Sequence, residues 1–103
     1  MTIKEGTLTN EGVTVIISDD DNTNLYGEWF RIDKKVNGKW NELKGNSNDW
    51  TLQGYATNEN SKLELQQNWK HIYGKLDTGK YRLVKEAGTK KKGQYIEVEF
   101  SIE

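Results

Sequence analysis

The sequence predicts an all-β fold, a sandwich of about seven short strands with one short helix before the penultimate strand. Three observations carry this prediction. Apolar and polar residues alternate with a period of two in several runs, as they do in strands with one buried face. Turn-forming residues separate these runs at short intervals. Four Trp, five Tyr and two Phe supply large rings for a core.

The overall composition favours one folded domain with a charged surface. The chain has 103 residues, of which only 33 % are hydrophobic and 30 % are charged. Chains this weakly apolar often stay disordered when their net charge is also high. Here the net charge is only −1, and the aromatic rings bury a large area per residue. We therefore expect a single domain across residues 1–103, and we expect it to be a monomer.

The first two strands are expected around residues 3–8 and 13–17, with a turn at Asn10-Glu11-Gly12 between them. A run of Asp, Asn and Thr at residues 19–24 then ends the second strand. Oxygen-rich loops of this kind bind Ca²⁺ in some proteins. However, the positions at which a calcium-binding EF-hand loop requires Gly and Glu hold Asn24 and Phe30. We therefore expect a solvated turn and no metal site.

A hairpin is expected within residues 30–43, because Asn37-Gly38 supplies the positive φ angles of a tight turn. Two registers fit this segment. A two-residue loop places Trp40 opposite Lys35. A bulged three-residue loop places Trp40 on the other face of the hairpin, with Phe30.

One stretch departs from the strand alternation. Its apolar residues recur at the three- and four-residue intervals of a helix face. We expect a helix of one to two turns, with Asn68 as its N-cap and Gly74 or Gly79 as the residue that ends it. The residues on its inward face are Trp69, Ile72, Tyr73 and Leu76.

The last two strands are expected around Tyr81 and after Gln94. Residues 76–83 have the layout of a tyrosine corner, in which a Tyr near the start of the penultimate strand bonds its hydroxyl to upstream backbone. Immunoglobulin-like sandwiches use this corner, so the sequence predicts that fold. By the same layout Trp29 is expected in the centre of the core, with Tyr81 and Phe100. Leu83 takes the place of the second disulfide Cys of antibody domains.

Several blocks of sequence resemble a family of bacterial immunoglobulin-like domains. The most specific are Tyr26-Gly27-Glu28-Trp29 and Gly79-Lys80-Tyr81-Arg82-Leu83-Val84-Lys85, and the resemblance covers most of residues 6–102. Members of this family occur in low-GC Gram-positive bacteria, in small lipoproteins and as extracellular appendages of membrane-bound sensor peptidases. The resemblance implies an exported, surface-tethered domain whose lipidated signal region lies outside this chain. It brings no catalytic motif with it.

The implied function is a non-catalytic accessory, sensing or adhesion module of a bacterial envelope protein. Its partner is expected to be another protein or a cell-wall polymer. Lys and Arg total 15 against 16 Asp and Glu, so no basic excess indicates a nucleic-acid partner. No apolar stretch approaches the roughly 18 residues of a membrane span, which leaves a missing N-terminal anchor as the expected route to the membrane.

The residues also give no reason to expect an enzyme, a cofactor or a resident metal. Cysteine is absent, which removes disulfides, thiolate chemistry and Cys-ligated zinc. His71 is the single histidine. It lies off the inward face of the predicted helix, so we expect it at the surface without a nucleophile in reach.

The aromatic residues give the one candidate binding site. By the alternation of side chains along the strands, Trp40, Trp50 and Tyr55 are expected to face outward or to lie near turns. Exposed aromatic rings of this kind stack on sugars. They predict an alternative function as a carbohydrate-binding module. The same rings could instead cover the ends of a small core, and a third alternative is a small secreted inhibitor that inserts a loop or an edge strand into an enzyme.

The runs Lys34-Lys35 and Lys90-Lys91-Lys92 are expected to keep edge strands soluble.

Overall fold

A computed structural model describes residues 1–18, 25–27, 29–45, 54–56, 62–86 and 95–103. These residues contain nine strands and one helix. The elements are β1 (Thr2–Ile3), β2 (Gly12–Ser18), β3 (Leu25–Gly27), β4 (Arg31–Val36), β5 (Lys39–Glu42), β6 (Gly54–Ala56), β7 (Lys62–Asn68), α1 (Lys70–Tyr73), β8 (Gly79–Glu86) and β9 (Tyr95–Ile102).

Two antiparallel sheets form the sandwich. One has the strand order β1-β2-β7 and the other has the order β5-β4-β8-β9, while β3 and β6 form a separate pair. The two sheets together supply seven strands, and the helix precedes the penultimate strand. The predicted all-β sandwich is therefore confirmed. In the four-stranded sheet β4, β8 and β9 have the order of the C, F and G strands of an immunoglobulin domain.

The period of two predicts the buried faces correctly. In β2 the residues Val13, Val15 and Ile17 are buried, and in β9 Phe100 is buried. The first strand is shorter than predicted, since only Thr2–Ile3 pairs with β2. The chain then turns at Gly6, whose φ of +79° is easily reached only without a side chain.

Of the two alternative registers, the hairpin has the one with the two-residue loop. Lys35 pairs with Trp40 and Val36 pairs with Lys39. Asn37 and Gly38 both have positive φ, 53° and 78°. This is the requirement of a type I′ turn, whose twist matches that of the flanking strands.

A stack of three rings lies at the centre of the core. The Trp69 ring lies 5.6 Å from that of Phe100, which in turn lies 5.7 Å from that of Tyr81. Trp69 has no exposed surface, and its Nε1–H donates a 2.8 Å hydrogen bond to the Asn10 carbonyl. The stack joins the segment after β7 to two strands of the opposite sheet.

The prediction that Trp29 is the central core tryptophan is wrong. Trp29 is half-buried, and its ring packs 6.3 Å from that of Tyr95, which is 53 % exposed. It precedes β4 by two residues, in phase with Arg31 on the side of the sheet that faces solvent. Its neighbour Phe30 takes the inward phase and is buried.

The tyrosine corner is present as predicted. The hydroxyl of Tyr81 donates a 2.7 Å hydrogen bond to the Asp77 carbonyl, four residues upstream. Tyr81 is 2 % exposed, and Leu83 is fully buried two residues later. The corner fixes the point at which the chain enters β8.

The short helix differs from the prediction at both ends, since Leu76, which was expected on its inward face, lies beyond its last residue, Tyr73. Asn68 is wrong as the N-cap, because it is the last residue of β7 and pairs there with Gly12. Trp69 takes the N-cap position, and its side chain makes no capping hydrogen bond to the helix. Gly74, one of the two glycines predicted to end the helix, ends it with a φ of +72°.

We predict that Tyr81→Phe destabilises the domain. The change removes the hydroxyl and leaves the Asp77 carbonyl without this partner, which costs about 1–2 kcal/mol in the free energy of unfolding. Chemical denaturation followed by tryptophan fluorescence measures the loss. The control is Tyr95→Phe, an exposed ring for which a change below about 0.5 kcal/mol is expected. Equal losses in the two variants would contradict this role of the corner.

Candidate functional site on the outer face of the four-stranded sheet

The candidate site lies on the side of the four-stranded sheet that points away from the other sheet, here called the outer face. Side chains alternate along each strand, so every second residue of β4, β5, β8 and β9 belongs to it. The residues that form its ion pairs, ring contacts and groove are Trp29, Arg31, Asp33, Lys35, Trp40, Lys80, Arg82, Tyr95, Glu97, Glu99 and Ser101.

A buried carboxylate organises this face. Asp33 lies directly opposite Arg82 in the sheet register, and its side chain is 4 % exposed. Arg82 Nε donates to Asp33 Oδ2 at 2.6 Å, and Arg31 Nε donates to Asp33 Oδ1 at 3.0 Å. Arg82 Nη1 also forms an ion pair with Glu97 Oε2 at 3.2 Å. Two carboxylates thus hold two guanidinium groups in fixed positions.

The fixed guanidinium groups also lie against aromatic rings. Arg82 Cζ lies 4.7 Å from the centroid of the Trp40 ring, and Arg31 Cζ lies 6.0 Å from that of Tyr95. Both distances are those of cation–π contacts. The half-buried Trp40 ring is therefore oriented by a cation that an ion pair itself positions.

Lys34 and Lys35 have a different role from the one predicted. They do not protect an edge, because β4 lies between β5 and β8. Lys34 Nζ lies 5.6 Å from the centroid of the Tyr81 ring and Lys35 Nζ lies 5.7 Å from that of Trp40. The second predicted run, Lys90-Lys91-Lys92, lies outside the described residues.

An open groove runs beside Trp40. Its volume is about 230 Å³. Trp40 of β5 and Glu99 and Ser101 of β9 all line it. The lining residues are Lys35, Trp40, Lys80, Tyr81, Glu99, Phe100 and Ser101.

The structure locates one member of the predicted aromatic site. Trp40 lies on the outer face at the groove. The backbone of Tyr55 lies in β6, opposite Tyr26 of β3, but its side chain and the whole of Trp50 lie outside the described residues, as does the oxygen-rich loop at 19–24. The prediction of a three-residue platform therefore stays a prediction.

Sequence reasoning did not find the charged residues around Trp40. Lys35, Lys80, Arg82 and Glu99 look like ordinary surface charges along the chain. The sequence held one signal of this site. Of the two hairpin registers that fit it, only the two-residue loop places Trp40 beside Lys35. The contact with Arg82 depends on pairing between distant strands.

A buried lysine on the opposite side of the same sheet was also unexpected. Lys85 is 1 % exposed. Its Nζ donates to Gln67 Oε1 at 2.7 Å and to the Trp29 carbonyl at 2.9 Å. These bonds link β8 to β7 and to the segment that enters β4, so Lys85 helps to join the two sheets.

The titratable groups near α1 include one tyrosine with a shifted pKa. Burial disfavours the phenolate and raises the pKa of Tyr73 above its ordinary value of 10.0, and the negative charges of Glu42 and Asp33 act in the same direction. His71 is exposed on α1, as predicted. Among the described residues, no three His, Cys, Asp or Glu side chains are grouped to hold a metal ion. No helix in the described ranges has the length and apolar character of a membrane span.

Comparison with known families agrees with this architecture. A family model described as "Bacterial Ig-like domain" matches residues 1–101. The chain therefore belongs to the bacterial Ig-like domains, β-sandwich domains that are usually non-catalytic and typically occur in extracytoplasmic or surface proteins. Searches of curated proteins and of solved structures found no significant match.

We predict that Asp33→Asn destabilises the domain strongly. The change leaves two neighbouring guanidinium groups without the carboxylate between them, at a cost of about 2–4 kcal/mol in the free energy of unfolding. Urea denaturation measures it. The matched control is Glu64→Gln, whose carboxylate pairs with Lys4 at 3.1 Å where both side chains are about half exposed, 54 % and 48 %. There a loss below about 1 kcal/mol is expected, and similar losses at both sites would refute the organising role of Asp33.

Proposed function

We propose that this chain is a non-catalytic module of a bacterial envelope protein, with an accessory, sensing or adhesion role at the cell surface. The match to the bacterial Ig-like domains over residues 1–101 carries this proposal. Rigid β-sandwiches suit such a role because they hold surface side chains in fixed positions. The resemblance to domains of Gram-positive lipoproteins and sensor-peptidase appendages supports a lipid-anchored parent protein.

The outer face has the physical properties of a recognition surface. Asp33 holds Arg31 and Arg82 in place, and Arg82 orients the Trp40 ring. Side chains that are ordered before a partner arrives lose less conformational entropy on binding. We propose that the partner, a protein or a cell-wall polymer, binds here to a monomer that folds as one domain.

Labelling of intact bacterial cells tests the proposed location. A membrane-impermeant amine reagent should modify the domain in the full-length protein, because many of its lysines, including Lys70 and Lys75, are exposed. Labelled protein is recovered and quantified by mass spectrometry. A cytoplasmic protein in the same cells is the control. Labelling only after lysis would contradict a surface role.

A second candidate function is carbohydrate binding through Trp40, Trp50 and Tyr55. The position of Trp40 favours it, since the half-buried indole lies beside an open groove on the solvent side of the sheet. Aromatic rings at such sites pack against the C–H faces of sugars.

Retention on insoluble polysaccharide tests this second function. The chain should bind to a matching polysaccharide, and Trp40→Ala should abolish most of the retention because it removes the ring from the groove. The control is Trp29→Ala, a half-buried tryptophan on the same face but outside the groove lining. Retention that is unchanged in Trp40→Ala, or lost equally in both variants, would argue against a platform at Trp40.

A further inference from the structure

We propose that the groove beside Trp40 binds an acidic sugar unit of a polysaccharide, with its carboxylate between Lys35 and Lys80. This inference rests on the proposed carbohydrate-binding function and names the substrate class of that site. It follows from the charges and surfaces that the sheet register brings together around the groove.

The register places two lysines side by side. Lys34 pairs with Tyr81, so Lys35 and Lys80 are the next residues along two neighbouring antiparallel strands. Both are exposed and both line the groove. Among the described residues neither forms an ion pair. Like charges on neighbouring strands repel each other, and an anion bound between the two lysines relieves this repulsion.

The third cation near the groove, Arg82, is less available to an anionic ligand than the two lysines are. Arg82 is held by Asp33 at 2.6 Å and by Glu97 at 3.2 Å. Its charge is already balanced, and its guanidinium lies against the Trp40 ring. Arg82 therefore orients the indole, and the two lysines remain to bind the anionic group.

The polar residues of β9 at the groove favour a sugar over a simple polyanion. Glu99 and Ser101 line the groove, and both can accept hydrogen bonds from hydroxyl groups. The carboxylate of Glu99 also repels a second negative charge nearby. The groove therefore fits one sugar unit that has a single acidic group and several hydroxyls, and whose apolar ring face packs on Trp40.

The size of the groove fits one unit of a longer chain. Its volume of about 230 Å³ is below the roughly 300–1,000 Å³ of pockets that enclose a drug-sized molecule. Because the groove is open to solvent, a polysaccharide can continue beyond it. We therefore expect recognition of a residue within a chain.

A ¹H–¹⁵N titration of the whole chain tests the inference. The probe is trigalacturonate, and cellotriose is the neutral comparison. The indole N–H signal of Trp40, assigned from the Trp40→Phe spectrum, should shift saturably with trigalacturonate. The apparent affinity should fall as sodium chloride is raised, since exposed charge pairs are screened. Cellotriose should leave this signal unchanged at the same concentrations.

Charge-neutral variants locate the anion. Lys35→Gln and Lys80→Gln should each weaken trigalacturonate binding by roughly three- to fivefold, the range of an exposed ion pair. The control is Lys39→Gln, which makes the same change on the same hairpin but outside the groove lining. It should leave the affinity unchanged, and the dispersion of each spectrum shows that the variant is folded.

Each contrary result would contradict a different part of the proposal. If cellotriose shifts the Trp40 signal as strongly as trigalacturonate, the acidic preference is wrong while the carbohydrate-binding function stands. If neither saccharide shifts Trp40, the groove is not a sugar site and this inference fails. If Lys39→Gln weakens binding as much as Lys80→Gln, the attraction is general surface charge and the assigned anion position is wrong. The labelling of intact cells reports on the envelope role independently of all three results.

Discussion

The packing of the Trp69 ring is the interaction on which the rest of the structure depends. Its indole has no exposed surface, donates to the Asn10 carbonyl at 2.8 Å and stacks on Phe100, which stacks on Tyr81. The three rings come from both sides of the sandwich, so one stack holds the sheets together. In a chain that is 33 % hydrophobic, such rings supply much of the buried apolar area that aliphatic residues supply elsewhere.

The two sides of the four-stranded sheet have different roles, packing on the inner side and ion pairing on the outer side. The inner side carries the ring stack and the buried Lys85, which bonds to Gln67 and to the Trp29 carbonyl. The outer side contributes little to the apolar core and is ordered by Asp33 and its two arginines instead. A surface that is ordered by ion pairs keeps its polar groups accessible to a partner, which is why the candidate site lies there.

Local patterns predicted the strands well and the site poorly. Alternation of apolar residues identified the buried faces of β2 and β9, and the tyrosine corner identified Tyr81. Trp29 was predicted in the core from the layout of antibody domains and from an inward phase, but the strand that follows it buries Phe30 and Ile32, which puts Trp29 on the side of Arg31. The contacts of Asp33 with Arg82, and of Trp40 with Arg82, join strands more than 40 residues apart. Their register depends on the whole sandwich, so no local pattern reveals it.

Hydrogen exchange at the tryptophan indoles tests the central role of Trp69 most directly. The Trp69 indole proton is buried and hydrogen-bonded, so it should exchange only when the whole domain unfolds, with an opening free energy equal to that from urea denaturation. The indole protons of the half-buried Trp29 and Trp40 should exchange far faster. If Trp69 exchanges as fast as Trp40, the ring stack does not hold the two sheets together, and the fold depends on other contacts.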